Sequence, residues 1–73
     1  MNFREVAIEA ISMNKAGKPH DEIKRYIVNK ALELGMSKGG YSEVEHSSAY
    51  TIRLVTTGET IAFNGHEYNY QPS

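Results

Sequence analysis

Apolar residues recur with a helical period along the first part of the chain. At 100° per residue, Phe3, Val6, Ala7, Ala10, Ile11 and Met13 share one broad face, with Glu5, Glu9 and Ser12 opposite. Ile8 stands apart from that face, between Arg4 and Ser12. Asn2 has an N-cap side chain, and Glu5 three residues later completes a capping-box pattern. Met1 and Val6 have the spacing of a hydrophobic staple. Lys15, Gly17 and Pro19 read as a last-turn cation, a left-handed cap residue and a stop. A first helix is expected over about 3–16.

A second helix starts near Pro19, whose fixed φ suits a first turn, and Asp21 and Glu22 favour the positive end of its dipole. Ile23, Tyr26, Ile27, Ala31 and Leu34 face one way, and Gly35 ends the run. Val28 and Leu32 form a second small stripe, set off from the first by Lys24. A helix apolar on two sides is either sandwiched between two elements or partly exposed. The short link makes the two helices neighbours and antiparallel.

After Gly39-Gly40 the pattern supports two readings. Ser42 and Glu45 repeat the capping-box spacing, which predicts a short helix over about 42–48; Val44, His46, Ser48, Tyr50, Ile52 and Leu54 alternate at period two, which predicts a strand that starts early. The short helix is the expectation adopted. Beyond it the chain is β. "YTIRLVT" alternates and is rich in β-branched residues, "TTGET" turns, and "TIAF" follows with Ile61 and Phe63 on one face. Asn64-Gly65 predicts a type I′ hairpin turn, with positive φ at both positions. "HEYNY" completes the meander, with His66, Tyr68 and Tyr70 on one face, and "QPS" should be loose. The expected fold is α+β: two antiparallel helices, joined by a third short one if 42–48 is helical, on a three-stranded antiparallel meander.

Seventy-three residues make one domain, 1–73. The chain has no cysteine, so packing alone must hold it. The amino terminus lacks a signal-peptide pattern, and no apolar run approaches the ~20 residues that span a bilayer, so a cytoplasmic location is expected. Net charge is −1. Residues 1–38 hold seven basic and five acidic side chains, and residues 39–73 hold one and four. That excess is too small to demand a phosphate backbone as partner and favours a protein.

The candidate chemistry is sparse. His20, His46 and His66 lie on different elements without zinc-ligand spacing. "GMSKGGYS" does not have the order of a phosphate loop, and no Ser, His and Glu set carries a nucleophile signature. Glu43 and Glu45 read as a solvated pair. No enzyme activity, metal or cofactor is expected. Tyrosine is the unusual residue, at 26, 41, 50, 68 and 70. Tyr68 and Tyr70 either pack onto Tyr50 and Ile52 or anchor a partner on an exposed strand, where a large ring with a polar tip makes a binding hot spot.

"VAIEAISMNKAGKPHDEIKRYIVNKALELGM" resembles the opening of winged-helix domains, with its "GKP" link and "EI…AL..LG" helix. The resemblance covers residues 6–36 and extends to the hairpin over 50–70. It implies a recognition helix and DNA binding, but "YSEVEHSSAY" stands where that helix would be, with two glutamates and no basic residue. In size, cysteine-free compactness, apolar amino-terminal helix and tyrosine-bearing end, the chain is also similar to small phage-encoded host-takeover proteins. These include the Xanthomonas phage antitermination type, which binds bacterial RNA polymerase, blocks initiation and promotes antitermination. That resemblance implies a small protein-binding regulator in the host cytoplasm, monomeric or weakly dimeric, with a larger host complex as partner. Its expected contacts are the Val28/Leu32 stripe, Tyr68 and Tyr70, and the basic residues Arg4, Lys24 and Arg25.

Overall fold

The computed structural model describes residues 2–35 and 40–72. Helix α1 spans Phe3–Lys15. Its capping box forms in full: Glu5 N–H donates to Asn2 Oδ1 and Asn2 N–H donates to Glu5 Oε1, both at 2.9 Å. The helix ends as a Schellman motif. Lys18 N–H donates to Met13 O and Gly17 N–H to Asn14 O, while Gly17 takes φ 82°. Helix α2 spans His20–Gly35. The expected staple involves Met1, which lies outside the described residues.

Four strands follow: β1 (Tyr41–His46), β2 (Ala49–Leu54), β3 (Thr60–Phe63) and β4 (Tyr68–Gln71), antiparallel in the order β1-β2-β3-β4. The fold is α+β, two helices on one face of a four-stranded meander. The short helix expected over 42–48 is instead β1 and the first hairpin turn. The Ser42/Glu45 spacing misled because a strand carries those two residues on opposite faces, where no capping box can form. A two-residue turn, Ser47-Ser48, closes β1 onto β2 with His46 opposite Ala49. The last turn also differs from expectation. Gly65 takes φ 101° but Asn64 does not, so the central residues are Gly65 and His66, with Asn64 outside them. Asn64 Oδ1 accepts from the backbone N–H groups of His66 and Glu67, at 2.8 and 2.9 Å, which fixes that shifted turn. His66 therefore sits in the turn rather than on the strand, and Gln71 is not loose but pairs with Thr60.

The core lies between helices and sheet. Phe3, Val6, Ala7 and Ala10 from α1 meet Ile23, Ile27 and Ala31 from α2, over Tyr50, Ile52, Leu54, Ile61, Phe63 and Tyr68. Helix α1 packs mainly on β4 and runs antiparallel to it: the Arg4 charge acts on Tyr70, and Asn14 Nδ2 donates to His66 O. Helix α2 packs mainly on β2 and less on β1. The helices sit mainly over β4 and β2, and β1 overhangs: its residues from Ser42 to His46 are all exposed.

Candidate functional site

The overhang creates a ledge. Its floor is the helix-side face of β1, on which the register places Tyr41, Glu43 and Glu45 beside Leu54, Ile52 and Tyr50. Its wall is the flank of α2 that carries Lys24, Val28 and Leu32 at successive turns. Val28 is half-buried against the core, and Leu32 is 54% exposed. Tyr41 is half-buried at the lower end of the floor.

Lys24 ties wall to floor. Its Nζ lies 2.5 Å from a Glu43 carboxylate oxygen and also pairs with Glu45. On the way it passes 5.3 Å from the centre of the Tyr50 ring. Hydrogen bonds to Glu43 and then Glu45 push the Lys24 ammonium above its ordinary range, against partial desolvation. Among the described residues one cation thus serves two carboxylates, which leaves that pair a residual negative charge. At the foot of the wall the backbones of Gly35 and Gly40 touch. A Cβ on Gly35 would lie 2.7 Å from Gly40 Cα, an approach only glycine allows.

The residues expected to bind a partner separate into four places. Lys24, Val28 and Leu32 come together on the wall. Arg25 is exposed farther round α2, on its solvent side. Arg4 and Tyr70 lie at the opposite side of the sheet, where Tyr70 hydrogen-bonds Glu59 and that bond raises its phenol above the usual range. Tyr68 is not a surface anchor. It is 4% exposed, stacks on Phe63 at 4.4 Å and shares a 2.8 Å hydroxyl–hydroxyl bond with Tyr50. The core reading of that strand holds for Tyr68 because its ring faces the helices, opposite Phe63 across the ladder. Burial raises the phenols of both Tyr50 and Tyr68, most at Tyr50.

Sequence reasoning missed Tyr41, Glu43 and Glu45 as one face. The signal that would have found them is the alternation of Ser42, Val44 and His46, which puts the intervening residues on the other side. Among the described residues no set of three or more His, Asp or Glu side chains converges as a metal site, and no pocket indents the surface. No helix among them is long and apolar enough to cross a membrane. The third helix of a winged-helix domain is also missing among them, since β1 occupies its place. Comparisons with protein-family models, curated proteins and solved structures found no match.

Proposed function

We propose that this chain is a small non-enzymatic protein-binding module that acts by occupying the surface of a larger assembly, and that it docks through the α2–β1 ledge. The observation that carries the reading is the pairing of an exposed Leu32 and half-buried Val28 with a strand that is largely exposed. An apolar anchor beside an open shelf suits a partner, because a few desolvated residues supply most of the affinity of such contacts. The resemblance to small phage-encoded proteins supplies the specific version of this reading: bacterial RNA polymerase as the partner and control of host transcription as the activity.

The test is binding of purified RNA polymerase by the wild-type chain and by Leu32→Asp, with circular dichroism to check the fold. Leu32 lies at the surface, so the variant should fold. Its affinity should fall at least tenfold, about 1.4 kcal/mol. Equal affinity for both proteins removes the ledge as the docking site. No binding by the wild type removes the polymerase. Retention on duplex DNA that weakens steeply with salt would replace a protein partner with a nucleic acid.

A further inference from the structure

We propose that the ledge is completed by an added strand: the free edge of β1 takes an extended segment of the partner that carries basic side chains at alternate positions. This deepens the docking reading above and depends on it only for the identity of the partner.

The backbone supplies the first argument. Gly40 O accepts from Val55 N–H at 2.9 Å. In an antiparallel ladder bonded and non-bonded pairs alternate, so Ser42, Val44 and His46 direct their N–H and C=O groups toward β2. Tyr41, Glu43 and Glu45 direct theirs away from the sheet. The register runs without a bulge from Tyr41 to His46, and the strand holds no proline. It is an unbroken edge of six residues whose outward groups can pair with another chain. The opposite edge is poorer. Only Tyr68 and Tyr70 of β4 face outward there, and α1 packs on that strand.

Charge decides what the edge accepts. Residues opposite one another across a ladder share a face. An added strand therefore sets alternate side chains beside Glu43 and Glu45, which among the described residues share Lys24 as their cation. Lysine or arginine at those positions balances the remaining charge. The residue between them falls beside Val44, which is 51% exposed on the other face of the sheet and favours an apolar, β-branched neighbour.

The same charges argue against a second copy of this chain. A two-fold antiparallel pairing of β1 with itself that uses five of its six residues centres on Glu43 or Val44. Each arrangement sets one glutamate opposite another, which destabilises the pair. The two glutamates thus disfavour the longest self-pairings and leave the edge open to a basic segment.

The test uses the isotope-labelled chain and two end-blocked peptides of about eight residues, one alternating lysine with valine, the other glutamate with valine. The lysine peptide should shift amide signals over residues 41–46 and along the Lys24–Leu32 flank. At saturation it should slow exchange of the Glu43 and Glu45 amides at least tenfold. The glutamate peptide should do neither. Glu45→Pro removes an outward N–H and leaves the bonds to β2 in place, so it should fold and lose the response. Glu43→Gln/Glu45→Gln should lose the preference between peptides. No response to the lysine peptide, an equal response to both, or wild-type behaviour of Glu45→Pro overturns strand addition. Polymerase binding tells the two ideas apart. Loss in Leu32→Asp with none in Glu45→Pro leaves docking standing and removes the added strand. A response to the lysine peptide without polymerase binding removes the polymerase and keeps the strand.

Discussion

Replacing Gly35 or Gly40 with alanine sets two effects against each other with opposite signs. Gly35 is the last residue of α2, and helix propensity alone favours alanine there by up to about 1 kcal/mol. The packing says otherwise. A Cβ on Gly35 would sit 2.7 Å from Gly40 Cα and 3.0 Å from its carbonyl carbon; one on Gly40 would sit 2.5 Å from Gly35 Cα. Carbon atoms rest at roughly 3.5–4 Å, so the two segments must part by about 1 Å. Backbone stands on both sides, and no rotamer change can relieve the overlap. Overpacking of this kind costs about 1–3 kcal/mol, out of roughly 4–11 kcal/mol expected for a chain of this size. The clash therefore outweighs propensity at Gly35, and Gly40, outside any helix, has nothing to offset it. Gly40→Ala should lower the melting temperature by roughly 5–20 °C, and Gly35→Ala by less. The double variant should fall short of the sum, because both methyl groups open the same gap. Thermal and urea unfolding followed by circular dichroism measures all three. A higher melting temperature for Gly35→Ala, as propensity alone requires, would falsify the close approach of α2 and β1.

Three further outcomes follow from the core and the turns. Tyr50→Phe and Tyr68→Phe should each cost about 1–2 kcal/mol by leaving a buried hydroxyl without its partner, and the double variant should cost clearly less than their sum; additive urea midpoints would refute the shared bond. Lys24, Tyr26, Tyr50, Tyr68 and Tyr70 all hold their protons more tightly than when unfolded. Their stabilisation is complete below the unfolded tyrosine value of 10.0 and is lost as pH rises above it, so urea midpoints should be insensitive to these groups near neutrality and fall beyond pH 10, less steeply in Tyr50→Phe. Ser47 takes φ 56° at the first central position of its two-residue turn, where glycine is the preferred residue. Ser47→Gly should raise stability by about 0.5–1 kcal/mol, and a lower melting temperature would contradict the left-handed backbone there.

Wherever burial imposed a period, the elements were legible in the residues. Both helices, the caps of α1 and the strands around Ile52, Ile61 and Tyr68 follow from apolar spacing and turn chemistry. Strand β1 was legible only as the second of two readings, for a physical reason. Helices α1 and α2 sit mainly over β4 and β2, so nothing required apolar residues on its inner face, and glutamates stand at 43 and 45. Their spacing with Ser42 then imitated a helix start. The turn at Asn64 was found but misplaced by one residue, because the Asn side chain satisfies the loop from outside rather than bending within it. Half of the ledge was visible as the Val28/Leu32 stripe beside Lys24. The other half required the register, which sequence pattern does not specify for an uncovered strand.

The antiparallel seating of α1 on β4 has a practical consequence. Phe3 and Gln71 belong to the same corner of the molecule, across three strands from the β1 edge. A short linker could join those two ends and move the break to the loop after β2, giving a circular permutant that keeps every packed layer. A tag, a surface tether or any additional stretch of polypeptide attached at either end would leave from that corner too. Immobilised chains would then point their glutamate-bearing rim outward into solution, whichever end is fixed.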